Sequence, residues 1–97
     1  MIGHNVYFSG AVQSLGFTSE RGRATIGVIS PGEFTFGTAV AEHMVITTGA
    51  LNIQLPGEDW RVVRQGDTFD VAAQKSFKVR ADAPVSYVCY YKDPPGA

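Results

Sequence analysis

A chain of 97 residues is long enough for one domain, near the lower limit at which a chain buries a self-sufficient core. Its 8 Lys and Arg residues nearly balance its 9 Asp and Glu residues, so the charge pattern offers no electrostatic footprint for a nucleic-acid polymer or an anionic membrane. No run approaches the roughly 18 consecutive apolar residues of a membrane-spanning helix.

Glycine and proline recur along the chain and divide it into short segments rich in Val, Ile, Thr, Phe and Tyr. This pattern is typical of short strands in an antiparallel sandwich or barrel. No segment keeps apolar residues at helical spacing for the roughly ten residues that a helix needs. In chain order, the predicted strands are Tyr7–Val12, Arg23–Ile29, Glu33–Thr38, His43–Thr48, Ala50–Leu55, Trp60–Val63, Thr68–Val71, Phe77–Ala81 and Val85–Tyr91.

The predicted fold is all-β, a single-domain jelly-roll β-barrel over residues 1–97, with segments 1–5 and 92–97 as flexible termini. The last predicted strand is apolar on both faces, which is typical of a central strand or of one covered by a partner subunit. The single cysteine, Cys89, lies inside this strand and has no partner for an internal disulfide. We interpret it as a buried small hydrophobe rather than a catalytic thiol. Because the first residues also lack a basic start and an apolar leader, the sequence predicts a cytoplasmic protein.

Two glycine spacings resemble the motifs of the cupins, which are small double-sheet jelly rolls. Glu42 stands seven positions before Gly49, as in the second half of the first cupin motif. Gly66 and Ala72 fit the start of the second motif, with Ala in place of Pro. Aligned in this way, the three histidine positions of a metal-binding cupin fall at Phe36, Thr38 and near Phe77.

These three positions carry no side chain that replaces imidazole as a metal ligand. His43 is adjacent to Glu42, so on a strand its side chain points to the opposite face. The sequence therefore favours a metal-free protein without a cofactor, and a metal-dependent cupin enzyme is the less favoured alternative. Phe36 and Phe77 would instead offer flat apolar surfaces on which a base can stack, or they would simply fill the core.

A closer resemblance extends over most of the chain, and it is carried by several short segments in order. These segments are Tyr7-Phe8-Ser9-Gly10, Gly22-Arg23-Ala24, Gly32-Glu33-Phe34-Thr35-Phe36, Glu42-His43-Met44, Gly49-Ala50-Leu51-Asn52 and Ser86-Tyr87-Val88-Cys89. Together they resemble the pyrimidine/purine nucleoside phosphorylases, a family of compact cupins. The resemblance implies cleavage of purine and pyrimidine ribonucleosides by inorganic phosphate to the free base and ribose 1-phosphate. It also implies a homodimer and no metal cofactor.

Phosphorolysis needs groups that bind phosphate and groups that stabilise a sugar with cationic character. Arg23 is the candidate for phosphate, since its guanidinium fork matches a phosphate edge, and the hydroxyls of Thr35 and Thr38 would assist it. Glu42 would accept hydrogen bonds from the ribose hydroxyls and offset the positive charge on the sugar. Tyr87 would donate to phosphate or to the base.

Each candidate also has a purely structural interpretation: a solvated charge for Arg23, a rim carboxylate for Glu42 and a packing residue for Tyr87. His43 is the mid-chain histidine that could protonate a leaving purine, but its predicted orientation argues against that role. The alternative function from another class is a non-enzymatic cupin that binds a sugar or another small metabolite.

Overall fold

The computed structural model describes residues 1–93, which form ten strands and one short 3-10 helix at Phe8–Gly10. The predicted terminal segment 92–97 lies mostly outside the described residues. Gly3–Asn5, which the sequence assigns to a flexible start, belong to the first strand. In chain order, the strands are β1 (Gly3–Tyr7), β2 (Val12–Ser19), β3 (Gly22–Ile29), β4 (Gly32–Gly37), β5 (Ala41–Thr48), β6 (Ala50–Gln54), β7 (Arg61–Arg64), β8 (Thr68–Val71), β9 (Ser76–Ala81) and β10 (Val85–Lys92).

The strands form two antiparallel sheets, in agreement with the predicted all-β jelly roll. One sheet has six strands in the order β1-β2-β3-β10-β5-β8, and the other has four in the order β4-β9-β6-β7. The two sheets are not hydrogen-bonded to each other, so the jelly roll is not closed as a barrel. No helix among residues 1–93 has the length and hydrophobicity to cross a membrane.

The first predicted strand, Tyr7–Val12, is wrong. The chain leaves the extended conformation at Phe8 and Ser9, which have φ angles of 51° and 56°, and a separate strand β2 follows. The sequence does not reveal β2 because its inward side chains are mostly small or polar, including the buried Ser14, while Leu15 on the other face is exposed. The alternation of apolar and polar residues that predicts a strand is therefore absent. The other predicted strands are present within a few residues of their predicted limits.

The core lies between the two sheets. It contains Ile29, Met44 and Ile46 from the larger sheet and Leu51, Ile53 and Val79 from the smaller one. Strand β10 lies between β3 and β5, which explains why both of its faces are largely apolar. Its inward side chains, Val85, Tyr87 and Cys89, are buried. Beyond Cys89 the packing opens into the cavity described next.

Candidate active site

Strand register gathers the polar inward side chains at one end of the six-stranded sheet. Cys89 on β10 is paired with Thr25 on β3 and with Met44 on β5. Two residues further along, Tyr91 is paired with Glu42. Because side chains on one face of a strand repeat every two residues, Arg23, two residues before Thr25, lies on the same face of β3. Segments far apart in sequence thus place their functional groups side by side.

A cavity of about 210 Å³ lies between the two sheets at this end. Its lining includes five of the seven site residues predicted from the sequence: Thr35, Phe36, Glu42, Phe77 and Tyr87. Arg23 and Thr38 are not part of the lining. The lining also includes side chains that the sequence analysis did not assign to the site, chiefly Tyr7, Phe8, Ser14, Cys89 and Tyr91.

One wall of the cavity is aromatic. The rings of Phe36 and Phe77, paired across β4 and β9, have centroids 5.7 Å apart and an interplanar angle of 29°. Phe8 meets Phe36 edge-on at 5.5 Å. Since Phe8 adopts a positive φ, which costs energy for a bulky residue, the turn is strained where it presents this ring to the cavity. The wall offers a planar ligand both a face and an edge to pack against.

Glu42 is the carboxylate of the cavity, and it lies in apolar surroundings. The Cys89 thiol donates a hydrogen bond to its Oε1 at 3.4 Å. Burial raises the pKa of Glu42 above its ordinary value, although the hydrogen bond from Cys89 and the charge of Arg23 act in the opposite direction. Burial and the neighbouring carboxylate raise the pKa of the Cys89 thiol, so it stays protonated and acts as a donor rather than a nucleophile.

Tyr87 reaches the cavity because its neighbour is glycine. It is paired with Gly27 across β3 and β10, and a Cβ atom added to Gly27 would overlap the end of the tyrosine ring. Desolvation strongly raises the pKa of Tyr87, so the phenol remains a neutral hydrogen-bond donor. The position of Tyr87 in the site therefore depends on glycine at position 27, although glycine contributes no functional group.

Arg23 lies in an adjoining cleft of about 350 Å³, whose lining includes Asn5, Thr18 and Thr25. Tyr7 and Tyr91 line both the cavity and the cleft and separate them. The Tyr91 hydroxyl is 3.3 Å from the Thr25 hydroxyl, and desolvation raises the pKa of Tyr91 to about 12. The cleft is thus a second, more polar compartment beside the cavity.

The guanidinium of Arg23 is held by two neighbours. It stacks on Tyr91, with Cζ 4.0 Å from the ring centroid. It also donates two hydrogen bonds to the carboxylate of Asp93, from Nε at 3.1 Å and from a terminal nitrogen at 2.8 Å. The pKa of Asp93 is lowered, first by the hydrogen bond from Arg23. About half of the Arg23 side chain remains exposed, so solutes can reach it.

Thr38 and His43 are placed away from the cavity. The Thr38 hydroxyl donates to the carbonyl of Ala72 at 2.7 Å and accepts from the amide of Lys75 at 3.0 Å, so it fastens the β8–β9 connection. The predicted ligand-binding role of Thr38 is therefore not supported by its geometry. His43 points to the outer face, as its position beside Glu42 predicts, and its Nδ1 is 2.9 Å from Asp70. Among residues 1–93, no group of three or more His, Cys, Asp or Glu side chains is arranged to hold a metal ion.

Sequence reasoning missed Phe8, Tyr91 and Asp93 for different reasons. Phe8 lies in an irregular turn, where side chains do not alternate between two faces as they do along a strand; this alternation is called strand parity below. Tyr91 shares the face of Tyr87 and Cys89, so strand parity contained the signal. Asp93 follows the last strand, and its pairing with Arg23, 70 positions earlier, is visible only in three dimensions.

Comparisons with known proteins agree on one family. The sequence profile of a family described as pyrimidine/purine nucleoside phosphorylase matches residues 2–91. A curated protein of that name from Pseudomonas putida (strain GB-1) is 46% identical over 90 residues, which cover 92% of this chain and 96% of the relative. A crystal structure of a protein of unknown function from Vibrio parahaemolyticus superposes with a TM-score of 0.88 at 40% identity, covering 92% of this chain and 96% of that one.

More distant solved structures share the fold alone. A cupin domain of a transcriptional regulator from Enterobacter cloacae superposes with a TM-score of 0.69 at 21% identity, covering 86% of this chain and 95% of that one. This match confirms the predicted cupin-type architecture. Because a match at such low sequence identity indicates a shared fold but not a shared function, no role for the cavity is inferred from the regulator.

Proposed function

The chain belongs to the pyrimidine/purine nucleoside phosphorylase family, and on that premise we propose that the cavity and its adjoining cleft together form a site for phosphorolysis of nucleosides. The resemblance drawn from the sequence is thereby confirmed, and the predicted activity agrees with the name of the curated relatives. In the proposed reaction, inorganic phosphate displaces the base of a purine or pyrimidine ribonucleoside and leaves ribose 1-phosphate.

One observation carries the proposal: an aromatic cavity and an arginine-containing cleft lie on opposite sides of Tyr7 and Tyr91. The cavity volume of about 210 Å³ lies below the roughly 300–1,000 Å³ of pockets that enclose a whole drug-sized ligand. It is therefore suited to the base alone, with the ribose at its mouth. Phosphate in the cleft would then approach the sugar from the side away from the base, as displacement requires.

The base would be held mainly by stacking on the Phe36–Phe77 wall. Stacking of a base on an aromatic side chain contributes roughly 1–3 kcal/mol and does not depend strongly on which base is present. The phenol of Tyr87 also lines this cavity and can donate a hydrogen bond to a base. Recognition dominated by stacking supports the acceptance of both purines and pyrimidines.

Phosphate would bind to Arg23 in the cleft. The guanidinium already donates two hydrogen bonds to the carboxylate of Asp93, the geometry with which it would hold two oxygens of a phosphate. Phosphate would have to displace Asp93, and both partners of that pair are partly exposed. Thr18 and Thr25 line the same cleft and can donate further hydrogen bonds.

The ribose would lie between the two compartments, near Glu42 and Tyr91. A carboxyl at this point can accept hydrogen bonds from the sugar hydroxyls, and a phenol can donate one. The contribution of the protein would be positioning and electrostatics, since phosphate is itself the nucleophile. No resident metal or cofactor is required by this scheme.

The test is incubation of the purified protein with adenosine or uridine, with and without inorganic phosphate. We expect free base and ribose 1-phosphate to appear in equal amounts, and only when phosphate is present. Base release that does not depend on phosphate would indicate a hydrolase. Nucleoside binding without any base release would indicate a binding cupin instead.

We also propose that the protein is a cytoplasmic homodimer. Leu15, Ile26 and Val28 lie on the outer face of the six-stranded sheet, and each has about half of its surface exposed. Exposed apolar side chains grouped on one face are typical of an interface, and a second copy of a short chain would cover them. Because Cys89 is a free, buried thiol, no disulfide requires an oxidising compartment.

A further inference from the structure

We propose that Glu42 acts as the general acid of the reaction, holding a proton that it donates to the departing base. This inference rests on the proposed function and gives Glu42 a different role from the one the sequence suggests. A sequence-based assignment makes Glu42 an ionised group that offsets positive charge on the sugar. The geometry instead points to a neutral carboxylic acid beside the leaving group.

The surroundings of Glu42 favour its neutral form. Its register partner on β8 is the apolar Val71, and the smaller sheet contributes Phe36 and Phe77 to the same cavity. The Cys89 thiol is a weak donor, at 3.4 Å. A carboxyl with so little polar support in an apolar site retains its proton to higher pH than one in water. The raised pKa of Glu42, caused mainly by burial, agrees with this reasoning.

Only one cation acts on Glu42 among the described residues that surround it, and that cation is already paired. Arg23 lowers the pKa of Glu42, but its own charge is offset by the carboxylate of Asp93. His43, next to Glu42 in sequence, lies on the opposite face with Asp70. The other titratable groups that line the cavity with Glu42 are Tyr7 from β1 and three side chains from β10. Burial raises the pKa of each of these three, Tyr87, Cys89 and Tyr91, so they are neutral at physiological pH.

The proton transfer balances as follows for a purine nucleoside. The bond between C1′ and N9 of the base breaks, and its electron pair goes to the base. The proton of Glu42 passes to N7, while an oxygen of hydrogen phosphate forms the new bond to C1′. The phosphate proton is released to solvent, and solvent returns a proton to the Glu42 carboxylate. Cys89 donates to Oε1, so Oε2 is the oxygen that carries the proton.

The test compares inosine with 7-methylinosine, whose base is already cationic and leaves without being protonated. In Glu42→Gln, we expect turnover of inosine to fall by about 10²–10⁴-fold, the usual contribution of a general acid, while turnover of 7-methylinosine falls less than tenfold. The matched control is Glu33→Gln, because Glu33 is an exposed carboxylate on β4 and should leave both rates unchanged.

Four outcomes are distinguishable, and they separate a failure of the general-acid role from a failure of the proposed function. An equal loss on both substrates would show that Glu42 acts through its negative charge, and no loss on either would remove it from the catalytic machinery. A wild-type protein that cleaves neither substrate would refute the phosphorylase itself. A selective loss on inosine supports the general acid.

A second measurement does not depend on activity. Because the folded protein raises the pKa of Glu42 above 4.5, the folded state binds this proton more tightly than the unfolded state. The wild type should therefore lose stability relative to Glu42→Gln as the pH rises from about 4.5 through the pKa of the folded protein. Equal pH dependence of the two melting temperatures would mean that Glu42 is ionised like a surface carboxylate. If the variant does not fold, the wild-type rate on inosine, but not on 7-methylinosine, should still fall across the same pH range.

Discussion

Replacing Arg23 with alanine removes the guanidinium from the proposed phosphate cleft. A hydrogen-bonded pair between a charged donor and phosphate contributes about 1.5–3 kcal/mol, which corresponds to roughly a tenfold to hundredfold loss of phosphate affinity. The fold should survive, because about half of the Arg23 side chain is exposed and its ion pair with Asp93 lies at the surface. Arg23→Lys should restore only part of the affinity, since an ammonium group lacks the planar fork.

The pairing of Arg23 with Asp93 predicts that a substitution at Asp93 has the opposite effect and increases the affinity for phosphate. Asp93 engages the nitrogens that phosphate would bind, so Asp93→Asn should free the guanidinium and lower the KM for phosphate. The expected gain is only a few-fold, because an exposed ion pair is weak. A raised KM would instead indicate that Asp93 positions Arg23 for phosphate rather than competing with it.

The assay is the initial rate of uridine cleavage against phosphate concentration for the wild type and each variant, accompanied by thermal melts. Arg21→Ala is the matched control. Arg21 also stacks on a tyrosine, with its Cζ 3.9 Å from the ring of Tyr90, but Tyr90 does not line the cavity or the cleft. If Arg23→Ala is well folded and keeps the wild-type dependence on phosphate, the cleft is not the phosphate site.

Three further predictions concern the aromatic wall of the cavity, the packing of Tyr87 on Gly27 and the outer face of the six-stranded sheet. Phe36→Ala should raise the KM for both uridine and adenosine, because it removes stacking of roughly 1–3 kcal/mol. Phe34 lies outside the cavity lining, so Phe34→Ala should lower the stability of the fold but have a smaller effect on KM. Gly27→Ala should lower the free energy of unfolding by about 1–3 kcal/mol in denaturant titrations and weaken activity, while Gly16→Ala, whose added Cβ meets only ordinary contacts, should leave the free energy of unfolding unchanged. Ile26→Glu should shift the mass measured by light scattering to that of a single chain, 10.4 kDa, and a wild-type monomer at micromolar concentration would refute the dimer.

The sequence alone determined those features that depend on short-range pattern. Spaced glycines and short β-branched segments specified the all-β class, because turns need positive φ and strands favour branched and aromatic side chains. Strand parity placed Glu42 inward and His43 outward, since side chains alternate along an extended chain. The order and spacing of the short segments identified the family.

The tertiary structure decided which of these residues meet. The register between β5 and β10 places Tyr91 beside Glu42. Arg23 and Asp93 are 70 positions apart in sequence, and only the folded chain brings them into contact. Thr38 satisfies inward parity, yet its hydroxyl is engaged by the backbone of the β8–β9 connection. Parity tells which face a side chain occupies; which partners reach it, and whether space remains beside it, follow from the packing of both sheets.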